Sequence, residues 1–149
     1  MKQLIFFLIG VLLAETAISQ PLCRKINQLD SKGNRQGRWI TWQDSARRLP
    51  SSKCWFKNGL EYRTTRYYHP NGKVRLKLHF RGDSIIRVKY IDSTGHVTQK
   101  GWALRIYTQK EIRYCWDGEW KFYNEKHKLE RKAIYRKGEE VTEGAPAIE

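Results

Sequence analysis

The sequence lacks any stretch in which apolar residues recur at helical spacing over ten or more positions. An amphipathic helix needs apolar residues at i, i+3, i+4 and i+7, so we predict almost no helix. The run from 126 to 136 is rich in charge, but Leu129, Ile134 and Tyr135 make no helical stripe. The chain is therefore expected to be all-β.

Motifs typical of catalytic and metal sites are also missing. No Cys-x-x-Cys pair occurs, and the histidines at 69, 79, 96 and 127 have no metal-ligand spacing with a cysteine or with one another. The serines lack the context of a nucleophile elbow, and carboxylates such as Asp83 and Asp117 stand beside turn glycines, where they cap hairpins. We predict a protein that is not an enzyme and that holds no metal or cofactor.

Only one long apolar run is present, Leu4 to Leu13, and it is too short to cross a membrane. Ten residues reach about 15 Å as a helix, which is half of a bilayer core about 30 Å thick. Lys2 precedes the run, and the small residues Ala17 and Ser19 follow it, as in a secretory signal peptide. We predict removal of residues 1–19, no transmembrane anchor, and an extracytoplasmic location, either periplasmic or secreted.

Acidic residues are scarce, since 15 Asp and Glu stand against 29 Lys and Arg, for a formal net charge of +14. Lys2 and Glu15 leave with the predicted signal peptide, so the remaining chain keeps this charge. Such an excess predicts a partner with negative charge, and lipid headgroups, acidic polysaccharide, nucleic acid or an acidic protein all qualify. The alternative is that the charge serves solubility alone.

The clearest pattern that is present is a strict two-residue alternation. Every second residue from Lys73 to Arg81 is basic and the others are apolar, and the run from Ile86 to Tyr90 alternates in the same way. A period of two is typical of a half-buried strand. Matching the apolar faces predicts a hairpin with a three-residue loop at 82–84. The predicted opposed pairs are Phe80 with Ile86, Leu78 with Val88 and Leu76 with Tyr90.

This register gathers basic side chains on the other face of the hairpin. Lys77 is expected opposite Lys89 and His79 opposite Arg87, where like charges repel unless an anion lies over them. The alternative is that exposed basic residues only prevent edge-to-edge aggregation. Because aromatic residues mostly take the apolar parity, nucleic acid is the less favoured partner. The predicted anion-binding residues are Arg63, Arg66, Arg75, Lys77, Arg87 and Lys89.

A second hairpin is predicted from Trp102 to Trp116, in the segments WALRIY and IRYCW. In its first strand, Trp102, Leu104 and Ile106 alternate against Arg105. This alternation places the three large apolar side chains on one face and the guanidinium on the other.

Aromatic pairs and turn residues recur along the chain in GNRQGRWITW, WFKNG, YYHPNGK and DGEWKFY. These segments resemble the variant MORN (membrane occupation and recognition nexus) repeats of bacterial secreted and antitoxin-like proteins, over roughly Gly33 to Gly138. The resemblance implies an elongated, open antiparallel meander of successive β-hairpins, with a binding or scaffolding role. A small closed β-barrel is the alternative fold. We expect an extended lead-in over 20–33, a hairpin-repeat domain over 34–138, and an acidic, disordered tail over 139–149.

Two functions stay open at this point. The first is a secreted, non-enzymatic binding or scaffolding module. It would dock through its basic face on an anionic surface, such as lipid headgroups or acidic polysaccharide, or on an envelope partner. The second is an antitoxin-like or immunity-like protein that binds an acidic toxin, which the family resemblance suggests.

The three cysteines yield a testable prediction. In a meander, Cys54 and Cys115 are about five strands apart, which is roughly 24 Å and exceeds the ~7 Å Cα limit for a disulfide. Cys23 lies in the lead-in and can reach Cys54, closing a loop of about 30 residues worth roughly 3 to 4 kcal/mol. We expect a disulfide between Cys23 and Cys54, the alternative being three reduced thiols. Peptide mapping of the secreted protein tests this, and a bond between Cys54 and Cys115 would contradict both the pairing and the strand order.

Overall fold

The computed structural model describes residues 25–141, and all regular structure within them is β-strand, as predicted. No helix among these residues is long and apolar enough to cross a bilayer. The strands are β1 (Gln28–Leu29), β2 (Arg35–Trp42), β3 (Pro50–Lys57), β4 (Leu60–Glu61), β5 (Thr64–Tyr68), β6 (Val74–Arg81), β7 (Ile85–Ile91), β8 (Val97–Tyr107), β9 (Ile112–Tyr123), β10 (Leu129–Arg136) and β11 (Glu139–Val141).

The strands form one antiparallel meander, in which each strand pairs with its neighbours in the chain. The order across the sheet is β1, β2, β3, then β5 to β11, and the short β4 pairs with β3 beside this path. β1 pairs only with β2 and β11 only with β10, so the sheet is open. The predicted open meander is confirmed, and the closed barrel is wrong.

The predicted β6–β7 hairpin is confirmed residue by residue. Phe80 lies opposite Ile86, Leu78 opposite Val88 and Lys77 opposite Lys89, with the loop at 82–84. The alternation in both strands is uninterrupted, and a one-residue slip would turn every apolar side chain to solvent. Burial of one face therefore selects this register.

Four turns share one hydrogen-bond pattern. In the turns at 30–34, 69–73, 92–96 and 124–128, the first N–H donates to the fifth carbonyl and the fourth N–H donates to the first carbonyl. The turns of a meander alternate between the two ends of its strands. The turns at 69–73, 92–96 and 124–128 therefore lie along the same margin of the sheet as the longer turn at 43–49. We term this the long-turn edge. Its neighbouring turns touch: Asn71 Nδ2 donates to Ser93 O at 2.8 Å, and Gln43 Nε2 donates to His69 O at 2.9 Å.

The core lies on one face of β6 to β10. Trp120 is fully buried, and Trp116 stacks on it at 3.7 Å between ring centroids. The Trp120 indole Nε1 donates to Trp102 O at 2.7 Å. The ring lies over Gly101, where an added Cβ would come within 2.4 Å of Trp120 Cδ2. The buried residues of this cluster are Phe80, Ile86, Val88, Ala103 and Trp120.

The structure corrects the predicted faces of β8. Arg105 is buried, with 4% of its surface exposed, and Ala103 lies beside it on the apolar face, opposite Ile86. Trp102 and Leu104 point to the other face, because only the small residues at 101 and 103 leave room for the indoles of β9. The Arg105 guanidinium lies 4.5 Å from the centroid of the Phe80 ring, and its Nη2 donates to Glu61 O at 2.5 Å.

The sheet extends past both predicted domain boundaries. Residues 28–29 of the predicted lead-in pair with β2, and β11 pairs with β10 beyond the boundary at 138. Lys137 and Gly138 both have positive φ, 50° and 98°, so they form a tight turn that brings the chain back along β10. The predicted signal peptide over 1–19, the lead-in before 25 and the tail after 141 lie outside the described residues.

The cysteines that the structure describes are not bonded to each other. Cys54 on β3 and Cys115 on β9 are separated by five strand steps, as predicted. They also lie on opposite faces, since Cys54 is buried on the core side and Cys115 faces Leu104. The pairing of Cys23 with Cys54 stays a prediction, because Cys23 lies outside the described residues.

The contact between Gly101 and Trp120 yields a prediction. Gly101→Ala inserts a methyl group into a filled site against a buried ring, so it should lower the free energy of unfolding by about 1 to 3 kcal/mol. Urea denaturation measures this loss. In the background of Trp120→Phe, which shortens the ring system, the same change should cost less. A Gly101→Ala variant as stable as the parent would contradict this packing.

Candidate anion-binding face

One row of basic side chains crosses seven neighbouring strands of the sheet. Each member lies directly opposite the next, from β3 through β5 to β10. We term this row the basic ladder. Its members are Lys53, Arg66, Lys77, Lys89, Lys100, Lys121 and Lys132.

The ladder follows from alternation in each strand combined with register between strands. Directly opposed residues point to the same face, so all seven side chains lie on the face away from the Trp120 core. Neighbouring strands lie about 4.8 Å apart, and the seven positions therefore span roughly 29 Å. Like charges at this separation repel.

Most of the ladder has no acidic partner. Glu119 pairs with Lys121 at 3.0 Å and with Lys132 at 3.5 Å. The hydrogen bond from Lys121, with the charges of both lysines, holds the pKa of Glu119 below its usual value. Within residues 25–141, no salt bridge reaches the other five ladder positions, from Lys53 to Lys100.

A shallow depression of about 260 Å³ lies at the centre of this face. Two ladder residues, Lys77 and Lys89, border it, together with three further side chains of β6 and β7: His79, Arg81 and Arg87. None of its lining residues is acidic. Such a pocket can hold a single oxyanion group, such as a phosphate, a sulfate or a carboxylate, among several hydrogen-bond donors.

The structure brings four of the six predicted anion-binding residues together. Lys77, Arg87 and Lys89 line the depression, and Arg66 stands beside Lys77 in the ladder. Arg75 lies on the same face of β6 but nearer the long-turn edge, outside the depression. Arg63 is not in the ladder, because it lies in the β4–β5 connection with a φ of 61°.

The guanidinium of Arg63 instead lies 5.2 Å from the centroid of the Trp55 ring.

The members of the basic ladder that sequence analysis missed are Lys53, Lys100, Lys121 and Lys132. Each stands in a strand whose partner register the sequence pattern did not establish. A signal was nevertheless present, because each is a basic residue at an alternating position of a predicted or observed strand.

Aromatic rings also lie on the basic face, contrary to the expected parity. Trp102 has the guanidinium groups of Arg81 and Arg87 over its ring, at 5.3 and 5.9 Å from the centroid. Two ladder lysines lie over tyrosine rings in the same way: Lys53 over Tyr68 at 5.4 Å, and Lys100 over Tyr123 at 5.0 Å. Cations and aromatic rings thus alternate across this face.

A separate group of metal-ligand residues meets at the long-turn edge. Ligand atoms of Asp92, His96 and His127 all lie within 4.8 Å of one another. The sequence predicted no such group, because 31 residues separate the two histidines. None of these three residues belongs to the basic ladder.

The chain matches no protein-family model, and no curated protein or solved structure matches it. The resemblance to variant MORN repeats therefore stays a prediction, carried by the segments quoted above.

The crowding of charge in the ladder yields a prediction about stability. Lys89→Glu places a carboxylate between Lys77 and Lys100, so two repulsive pairs become attractive. Each pair should add roughly 0.2 to 1 kcal/mol to the free energy of unfolding. Urea denaturation at low salt measures the gain, which should shrink at high salt because the charges are screened.

The matched control for this variant is Lys32→Glu, which makes the same change of charge in the turn at 30–34. It should gain less than the ladder variant. Equal gains in the two variants would show that stability responds to net charge and not to the alignment of the ladder.

Proposed function

We propose that the protein is a non-enzymatic binding module that works outside the cytoplasm and docks through its basic sheet face on an acidic polysaccharide. One observation carries this proposal: five consecutive ladder positions, Lys53 to Lys100, have no acidic partner in the described part of the chain. The extracytoplasmic location rests on the predicted signal peptide.

Alignment distinguishes the ladder from charge that serves solubility. Scattered basic residues keep a protein soluble equally well, whereas aligned ones repel one another. This repulsion lowers the stability of the folded sheet. A polyanion laid along the ladder removes the repulsion and gains attraction at every rung, so binding accounts for an arrangement that solubility does not.

The spacing of the ladder suits a linear polymer. The backbones of neighbouring ladder residues stand about 4.8 Å apart, well inside the screening length of about 8 Å at physiological salt. Their charges therefore act on one another and on a shared partner, and each contact releases counterions from the polymer. A straight row about 29 Å long offers several such contacts in sequence.

The aromatic rings on this face favour a polysaccharide over lipid headgroups. Tyr68, Trp102 and Tyr123 lie among the cations and offer flat surfaces on which rings can stack. Sugar rings have apolar faces that stack in this way, whereas the headgroups of the common glycerophospholipids, such as phosphoglycerol and phosphoserine, contain no ring. Single-stranded nucleic acid could also use these rings, so it is a competitor in the test.

The proposal predicts that neutralising three adjacent lysines of the basic ladder weakens binding far more than neutralising three lysines elsewhere. In the ladder variant, Lys77, Lys89 and Lys100 become Gln. In the control variant, the exposed turn lysines Lys32, Lys110 and Lys126 become Gln, which gives the same net charge. Binding of heparin, as a model acidic polysaccharide, is measured by calorimetry at several salt concentrations.

We expect the slope of log Kd against log salt to fall by roughly 2 to 3 in the ladder variant, since three ionic contacts are lost. The control variant should keep the parent slope. Equal losses in the two variants, or no binding by the parent, would contradict the proposal. Tighter binding to anionic vesicles or to single-stranded DNA than to heparin would overturn the choice of a polysaccharide.

A further inference from the structure

Two histidines stack at the long-turn edge, although they are distant in sequence. The imidazoles of His96 and His127 lie 3.5 Å apart between ring centroids, at an interplanar angle of 18°. They belong to the turns at 92–96 and 124–128, which are neighbours because β8 and β9 pair. Both side chains are exposed, and Asp92 completes a group of three ligand-type residues within 4.8 Å.

The backbone at His127 favours glycine. The fourth residue is Gly33, Gly72 or Gly95 in the other three turns of this pattern, with φ between 79° and 105°. His127 takes the same left-handed conformation, with φ of 60°. A side chain at such a position carries a conformational cost, although histidine tolerates it better than most residues. Its imidazole is therefore a candidate for a role of its own.

The hydrogen bonds of the 92–96 turn fix the tautomer of His96. The Thr94 hydroxyl donates its single proton to Asp92 Oδ1 at 2.6 Å. Thr94 Oγ1 also lies 2.7 Å from His96 Nδ1, and because its own proton is donated to Asp92, it accepts a hydrogen bond from the Nδ1–H. The lone pair of the neutral imidazole then lies on Nε2. Metal-ligating histidines are oriented in this manner, with the second ring nitrogen donating to an oxygen atom.

Asp92 supplies a stable negative charge beside the rings. Its Oδ1 accepts hydrogen bonds from the Thr94 hydroxyl and from the backbone N–H groups of His96, Gly95 and Thr94. These bonds, with the Thr94 hydroxyl first, hold the pKa of Asp92 well below its usual value. In the described part of the chain no hydrogen bond reaches Oδ2, which can therefore serve as a ligand.

We propose that Asp92, His96 and His127 bind a divalent transition-metal ion of the Zn²⁺ class. Two imidazoles and one carboxylate are a ligand set that such ions take, with remaining positions open to water. Zn²⁺ holds nitrogen ligands at about 2.0 to 2.1 Å, so tetrahedral donor atoms lie about 3.3 Å apart. The ligand-type atoms that lie within 4.8 Å of one another would have to move closer by up to about 1.5 Å to reach this spacing.

Nearly parallel rings cannot both point a lone pair at one ion, so one ring must turn on binding. His127 is exposed and its ring can rotate without disturbing the core. The bound ion would join the β7–β8 turn to the β9–β10 turn along the long-turn edge. This inference is independent of the proposed function, because no ladder residue takes part.

The test is calorimetric titration of the untagged protein with Zn²⁺ alone at pH 7.5. The variants are His96→Gln and His127→Asn, the latter because Asn tolerates the positive φ at 127. His79→Gln on the basic face is the matched control. We expect one site per chain, at least about tenfold weaker in both cluster variants and unchanged in the control. Thr94→Val, which removes the partner of His96 Nδ1, should weaken binding by about tenfold or more.

Circular dichroism checks that every variant keeps the sheet. Zn²⁺ affinity that persists in both cluster variants, that falls equally in His79→Gln, or that is absent in the parent would overturn the site. Heparin binding is measured without metal, so failure here is distinct from failure of the basic ladder.

Discussion

Cross-strand register is the constraint on which the rest of the molecule depends. Side chains alternate between two faces, so a slip of one residue in any strand would exchange its basic and apolar positions. With the observed register, the indole of Trp120 lies over Gly101 on one face while Lys100 and Lys121 stand opposite each other on the other face. The core and the ladder are therefore two results of the same pairing.

The sequence was sufficient for architecture and for the central hairpin, where alternation runs unbroken through both strands. It failed for β8, because Trp102 and Leu104 have the pattern of core residues. The faces of that strand are decided by a partner that alternation within the strand does not reveal, namely the indole of Trp120, which needs glycine opposite it. Periodicity did not distinguish the open sheet from the barrel, because closure depends on strand twist and on pairing of the end strands.

The predicted register accounts for the centre of the candidate site, whereas Arg66 was predicted only from its place in the strand before the β6–β7 hairpin. Lys77, Arg87 and Lys89 follow from the β6–β7 hairpin, but the ladder continues across bulges at Tyr90/Ile91 and Lys100/Trp102. The first bulge shifts the pairing by one residue and the second by two, so the register cannot be counted across them from the sequence. The proximity of His96 and His127 could not be predicted for a related reason. The meander brings their turns together, and spacing along the chain does not show this.

The serial pairing of the meander also makes the sheet extensible. Each strand contacts only its chain neighbours, so stability is approximately a sum of hairpin terms and nearest-neighbour interfaces, as in repeat proteins. Duplication of one hairpin in register would lengthen the sheet by two strands and add two rungs to the row of cations, about 10 Å. In this architecture the number of hairpin repeats sets the length of the basic ladder. Evolution can therefore change that length by duplication without redesigning the core.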